Sequence, residues 1–77
     1  MLRLSSKWAE FFRGHAETGM GYTIVTVVLK DGKRYPRVAV TGGIVGSVDG
    51  SSTIPFVEDD IAEFIVTHDK PDFRTPR

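Results

Sequence analysis

Two apolar segments flanking an Asp-Gly pair constrain this chain more than any other feature. The first, residues 22–29, is rich in β-branched side chains, and the second covers residues 34–41. β-branched residues favour strands, and Asp-Gly is a preferred pair for the two-residue type I′ turn that joins antiparallel strands. The sequence therefore predicts a β-hairpin over residues 22–41, with Asp31 and Gly32 as its loop.

This pairing makes both faces of the hairpin apolar. With a two-residue loop, Val28 lies opposite Tyr35 and Val25 lies opposite Val38. One face carries aliphatic side chains only: Val25, Val27, Leu29, Val38 and Val40. The other face is also mostly apolar: Tyr22, Ile24, Val28, Tyr35 and Ala39. Such a strand needs cover on both sides, and Pro36 predicts an edge or a bulge because it cannot donate a ladder hydrogen bond.

A short amphipathic helix is predicted ahead of the hairpin, over about residues 4–14. Ser5 or Ser6 can cap its start, and Gly14 can end it. Five side chains share one face at helical spacing: Leu4, Trp8, Phe11, Phe12 and His15. A helix this short is unstable alone in water, so we expect this face to pack on the second apolar face of the sheet. An exposed aromatic face for a partner or a membrane surface is disfavoured, because large exposed apolar patches are unusual.

Three further strands complete the predicted domain, which covers residues 1–68. They are expected at Ile44–Val48, at residues 53–57, where Pro55 implies an edge or a bulge, and at residues 61–67. The last segment fits helical and strand spacing, and its short length with an Ile-Val-Thr end favours a strand. Residues 69–77 are rich in charges and carry two prolines, so we expect an extended or disordered tail.

The predicted fold is mainly β: an N-terminal α-helix followed by a five-stranded, strongly bent antiparallel sheet, as in SH3-like and Sm-like open barrels. VTVVLKDGKRY, residues 25–35, looks like the opening of the first motif of the Sm-like family. FVEDDIAEF, residues 56–64, resembles the spacing of the second motif, with Ile61 and Phe64 at its apolar positions. The resemblance implies ring assembly, in which the fourth strand of one subunit pairs with the fifth strand of the next.

The chain departs from that family at its RNA site. Sm-like proteins bind uridine-rich RNA through an Asp and an Asn after the second strand, where this chain has Thr-Gly-Gly-Ile at residues 41–44. The Arg-Gly of the family's second motif is here Val57-Glu58. The carboxylates of Glu58, Asp59 and Asp60 repel phosphate. The resemblance therefore extends to the fold but not to the RNA site.

Composition narrows the classes of partner. The chain has 77 residues, with ten basic residues, ten acidic residues and no cysteine. A domain this small is marginally stable, and without disulfides it often gains stability by oligomerising. The balanced charge argues against a general polyanion binder. No apolar run is long enough to span a bilayer, so we expect a soluble, cytoplasmic protein with no membrane partner and no cofactor.

Two charged clusters are candidate binding sites. The first is a basic cluster around one aromatic ring: Lys30, Lys33, Arg34, Tyr35 and Arg37. It is either a nucleic-acid-binding patch or a solvated hairpin tip. An acidic cluster lacks the spacing of a calcium loop and is more typical of a solvated turn: Glu58, Asp59, Asp60 and Glu63. We also consider the hypothesis that the two clusters pair across a subunit boundary, as complementary charges do.

The edge of the predicted sheet supplies the leading functional expectation. Pro36 and Pro55 can blunt strand edges, whereas the segment Ile61–Val66 has no proline, so Ile61, Glu63 and Ile65 are expected at a self-assembly interface. The histidines, His15 and His68, accompany no nucleophile motif, and we expect no enzyme and no metal site. The chain is therefore expected to be a non-enzymatic binding or scaffold module that self-assembles through strand edges. The alternative is an Sm-like RNA-binding protein that uses the basic hairpin tip.

Overall fold

One curled antiparallel sheet and one helix account for the regular structure of residues 1–68, which are the residues that the computed structural model describes. The strands are β1 (Leu2–Arg3), β2 (Thr23–Leu29), β3 (Arg34–Thr41), β4 (Ile44–Val48) and β5 (Ile61–Val66). Helix α1 (Ser6–Arg13) follows β1, and a 3-10 turn (Glu58–Asp60) precedes β5. The strand order is β1-β4-β3-β2-β5. This half-barrel confirms the predicted fold class; the predicted tail, residues 69–77, lies outside the described residues.

The β2–β3 hairpin forms as predicted, but its loop has three residues and not two. The backbone N–H of Leu29 donates to the carbonyl of Lys33 at 2.8 Å, and that of Gly32 donates to the carbonyl of Leu29 at 2.9 Å. Gly32 has a φ of +93°, whereas Asp31 is outside the positive-φ region. A type I′ turn needs positive φ at both central residues. The loop is therefore a turn followed by a left-handed glycine.

A bulge in β3 compensates for the longer loop. Near the loop, Tyr35 pairs with Val27 and not with Val28 as predicted. Farther along, Val25 pairs with Val38, as predicted. Between these two pairs β3 advances by three residues while β2 advances by two, so one extra residue is absorbed on β3.

The extra residue lies at Pro36 and Arg37, which confirms the predicted bulge at the proline. Arg37 has a φ of +54°, an uncommon conformation for a residue with a side chain. Because a shift of one residue exchanges the faces of a strand, Tyr35 turns from the predicted outer face towards the core. Its ring centroid lies 5.4 Å from that of Phe56.

The predicted core face is buried, but the helix packs on that face and not on the other. Val25, Val27 and Val38 are completely buried, and Trp8 of α1 belongs to the same apolar cluster. The rings of Trp8 and Phe64 meet edge to face, with centroids 4.7 Å apart. The expectation that α1 covers the second face is wrong because the curled sheet leaves its concave side open, and α1 fills that side.

The aromatic residues of α1 serve core packing, as predicted. Trp8 is buried, and the half-buried rings of Phe11 and Phe12 pack against the core. Phe12 and Phe64 have centroids 5.0 Å apart. Ser5 and Gly14 flank α1 as its N-cap and C-cap residues, which confirms the predicted extent of the helix.

One predicted strand does not form, and a strand that was not predicted forms elsewhere. Residues 53–57 have no regular structure, since Pro55 and the preceding serines suit a connection better than a ladder. The sheet instead gains its remaining strand from β1 (Leu2–Arg3). With two residues, β1 is too short to show an alternating pattern in the sequence. The strands predicted at Ile44–Val48 and at residues 61–67 are confirmed, the latter as Ile61–Val66.

Glycine substitutions test the three-residue loop. We expect Gly32→Ala to lower the free energy of unfolding by about 1–2 kcal/mol, because alanine resists positive φ. No atom lies within 4 Å of a Cβ placed at Gly32, so this loss measures backbone strain alone. Gly14→Ala is the control, since the φ of Gly14 is −85°, and it should not lower the free energy of unfolding, because alanine at a compatible φ stabilises a fold by about 0.4–1 kcal/mol. Urea denaturation measures the free energy of unfolding of both variants. A Gly32→Ala variant as stable as the wild type would contradict the loop geometry.

Candidate functional site

The hairpin tip forms one wall of a surface cleft of about 280 Å³. Lys30 and Lys33 are exposed on it, and the half-buried ring of Tyr35 lies beside them. Three of the predicted basic-cluster residues therefore share one site. The other residues lining the cleft are Leu29, Asp31, Pro55 and Asp60.

The two arginines of the predicted basic cluster lie elsewhere. Arg34 pairs with Val28 of β2 and is exposed on the strand beyond the tip. Arg37 binds Asp49, with Nε 2.6 Å from Oδ1 and Nη2 3.2 Å from Oδ2. The hydrogen bond from Arg37, helped by its charge, holds the pKa of Asp49 below the ordinary value of 3.8. The bulge therefore places Arg37 in an ion pair with Asp49 of the same chain.

The acidic turn lies against the basic tip within one subunit. The backbone N–H of Lys30 donates to the carbonyl of Asp60 at 2.8 Å, and the two residues line the same cleft. Asp60 also accepts the backbone N–H of Val57 through Oδ2 at 3.2 Å. Contact between the two charged clusters therefore needs no second subunit, and the carboxylates in the cleft weaken its attraction for phosphate.

Glu58 fastens the acidic turn to the start of α1. Its carboxylate accepts the hydroxyl of Ser5 at 2.6 Å and the backbone N–H of Ser5 at 3.1 Å from each oxygen. The hydrogen bond from the Ser5 hydroxyl has the largest effect on the pKa of Glu58 and, with the bond from the Ser5 backbone N–H, holds it below its ordinary value of 4.5. The charge of Lys7 lowers this pKa further. Sequence reasoning placed Glu58 in a solvated cluster because its partner lies 53 residues away.

The backbone groups of β2 alternate between its two neighbouring strands. Lys30, just beyond β2, donates its N–H to Asp60 on the β5 side. At the other end, the carbonyl of Ile24 accepts the N–H of Thr67, also on the β5 side, at 3.2 Å. Consecutive residues of an antiparallel strand point their backbone groups to opposite edges. The even-numbered residues of β2 therefore bond β5, and the odd-numbered ones bond β3.

This alternation decides which groups of β5 are satisfied within the subunit. Glu63 and Ile65 lie opposite two even-numbered residues of β2, so their N–H and C=O groups point towards β2. The intervening residues, Phe64 and Val66, point their N–H and C=O groups to the other edge of β5. In residues 1–68, β5 has no strand on that edge. Ala62 lies at the register shift opposite Val28 and Leu29, so the regular outward backbone of β5 is that of Phe64 and Val66.

The side chains predicted at the interface have different environments. Ile61 is buried in the core, with 4% of its surface exposed, whereas Ile65 is 37% exposed. Glu63 is exposed and, like Ile65, lies on the face of the sheet away from Phe64. The sequence predicts this strand for the interface, but it does not identify the outward backbone groups, because the register with β2 decides them.

The opposite margin of the sheet is covered at several positions. β1 covers β4 at residues 44 and 45. At the end of β4, Val48 and Ser51 exchange backbone hydrogen bonds of 2.8 and 2.9 Å. β1 itself has two residues. Among the described strands, β5 therefore has the longest open edge.

One histidine contacts its own helix, and the other contacts a loop distant in sequence. His15 Nδ1 lies 2.8 Å from the carbonyl of Phe11 at the end of α1. His68 Nδ1 lies 2.6 Å from the hydroxyl of Thr18, which also accepts the N–H of Ile24 at 2.7 Å. The pair of Thr18 and His68 thus ties the loop after α1 to the end of β5. Residues 1–68 contain no group of three or more acidic, histidine or cysteine side chains placed to hold a metal ion.

Comparisons with protein-family models, with curated proteins and with solved structures find no match to this chain. Among the described residues, no helix has the length and apolar character needed to cross a bilayer. The functional surfaces of this chain are therefore inferred from the geometry of the cleft and of the open β5 edge.

The contact between Glu58 and Ser5 makes acid stability testable. A carboxylate whose folded-state pKa is lowered stabilises the fold above its unfolded-state pKa and loses this contribution as the pH falls through the folded-state value. We expect Glu58→Gln to lower the Tm at pH 7, and the difference from the wild type to shrink as the pH falls below 4.5. Asp59→Asn is the control, because Asp59 is exposed and makes no such contact. Equal Tm values for Glu58→Gln and the wild type at pH 7 would contradict this role.

Proposed function

We propose that this chain is a non-enzymatic small-barrel module that self-assembles by pairing the open edge of β5. The observation that carries this proposal is the outward direction of the backbone groups of Phe64 and Val66. An unpaired strand edge is a template for another strand, and proteins that remain monomeric usually blunt or cover it.

The β5 edge has few of the features that prevent edge pairing. Ile61–Val66 contains no proline and no lysine, and Glu63 is its only charged residue. β5 is also long for an edge strand of such a small sheet, with six residues against two in β1. A 77-residue chain without disulfides gains stability when it buries surface against another subunit. These features favour assembly over a solitary subunit.

Proline substitution tests this edge. Val66→Pro removes an N–H that lies outside the intramolecular ladder, so we expect association to weaken by about tenfold or more, with the subunit still folded. Analytical ultracentrifugation measures the mass, and circular dichroism measures the fold. A wild-type protein that stays monomeric at micromolar concentration contradicts the proposal, as does unchanged association of a folded Val66→Pro variant.

Met20→Pro is the matched control. Met20 is 99% exposed, and it occupies the second position of a turn in which the N–H of Tyr22 donates to Gly19 at 3.4 Å. The third residue, Gly21, has a φ of +85°, as in type II turns, which favour proline at the second position. We expect Met20→Pro to retain both the fold and the wild-type association.

Nucleic-acid binding at the hairpin tip is the second candidate. The arrangement that favours it is the exposed pair Lys30 and Lys33 beside the ring of Tyr35 in one cleft. Cations bind phosphate and an aromatic ring can stack on a base. Against it, Asp31 and Asp60 line the same cleft.

The second candidate predicts weak, salt-sensitive binding of a single-stranded RNA oligonucleotide. Fluorescence anisotropy at low salt should detect it, and the affinity should fall as salt is added. Lys30→Gln with Lys33→Gln should abolish binding, whereas Lys7→Gln, a loss of charge on α1, should have a smaller effect. Absence of binding at low salt, or equal binding by the double variant, excludes the tip as the site.

A further inference from the structure

We propose that two copies of this chain pair β5 with β5 in antiparallel orientation, about a two-fold axis that passes beside Ile65. This inference depends on the proposed function, since it specifies the partner strand and the register of the same edge. The pairing joins two half-barrels into one continuous sheet of ten strands, twice the five strands of each copy.

The distribution of open edges favours a second β5 as the partner. Head-to-tail assembly needs two different open margins on each subunit. In the part of the chain that the structure describes, β4 is covered at residues 44 and 45 by β1, and Val48 is paired with Ser51. Residues 53–57, the strand that the ring geometry would use, have no regular structure. A two-fold pair requires one open margin only, and β5 provides it.

The outward backbone groups restrict the register of this pair. Antiparallel strands bond through residues whose N–H and C=O groups face each other, so Phe64 and Val66 must lie opposite outward-pointing residues of the second copy. Placing Phe64 opposite Val66 of the partner subunit satisfies both residues by symmetry. The axis then passes between the Ile65 residues of the two copies, which form a non-hydrogen-bonded pair, the closer type of cross-strand pair.

The side chains distinguish this register from its neighbours. With the axis at Ile65, the 37% exposed side chain of Ile65 packs against its own copy, and Glu63 lies opposite Thr67 of the partner subunit. With the axis at Phe64, Ile65 would lie opposite Glu63 of the partner subunit, which places an apolar side chain beside a carboxylate. The bulge at the start of β5 breaks the regular backbone there, so further pairs between the two β5 strands do not offset this mismatch. Apolar pairing therefore favours the axis at Ile65.

Single cysteines test this register directly, because the chain contains none. At a non-hydrogen-bonded pair the two Cα atoms lie about 4.5 Å apart, within the range that a disulfide spans. We expect Ile65→Cys to form a covalent dimer under mild oxidation, with twice the subunit mass of 8.5 kDa. Met20→Cys, at an exposed residue outside β5, should remain mostly monomeric under the same conditions.

Mixtures of two variants give a second measurement, and the mixture that tests the proposed register leaves Ile65 unchanged. Glu63→Cys mixed with Thr67→Cys should form a heterodimer in the proposed register, whereas Glu63→Cys mixed with Ile65→Cys should form one if the axis lies at Phe64. Cross-linking of the first mixture and of Ile65→Cys alone supports the proposal. Preferential cross-linking of the second mixture, or no cross-linking of any β5 cysteine in a protein that associates, overturns it.

The outcomes separate this inference from the proposed function. If the wild type associates and Val66→Pro does not, edge assembly is supported even when the cross-linking results contradict an axis at Ile65. If the wild type is monomeric at micromolar concentration, both proposals are overturned. A wild-type mass above that of a dimer, without Ile65→Cys cross-linking, retains edge assembly and rejects the two-fold pair.

Discussion

Backbone pairing of β2 on both of its edges is the constraint on which the rest of the structure depends. β2 lies between β3 and β5, and its alternating residues bond one strand and then the other. Its core face buries Val25 and Val27 completely, so the strand is fixed by its ladders and by apolar burial together. Because β2 uses every second residue of β5, it also determines which β5 groups remain for a partner. The interior of the subunit thus dictates the chemistry of its edge.

Two charged side chains connect separate parts of this fold. Glu58 holds the 3-10 turn against the start of α1 through Ser5, and Arg37 holds the β3 bulge against Asp49. Lys30 and Asp60 are joined through their backbones, which brings the basic tip and the acidic turn together. The open β5 edge, with one carboxylate and an exposed Ile65, contrasts with these satisfied regions.

The same register argument links the fold to the proposed assembly. Phe64 anchors β5 in the core through its buried side chain while its backbone faces outwards, at the position where a partner would bind. A strand held in this way loses little conformational freedom on pairing, and preorganisation of this kind favours association. The exposed Ile65 lies between the two outward residues, where a symmetric partner would bury it.

Local patterns in the sequence determined the hairpin, its buried face, the helix with its caps and the strands at Ile44–Val48 and Ile61–Val66, because periodicity and turn residues act over a few positions. Only the tertiary structure decided the three-residue loop, the bulge that turns Tyr35 inwards, the short strand β1 and the side of the sheet that α1 covers. It also decided the partner of Glu58 and the outward groups of β5. Each of these depends on segments distant in sequence, whose contacts arise when the sheet curls and one ladder sets the register of the next.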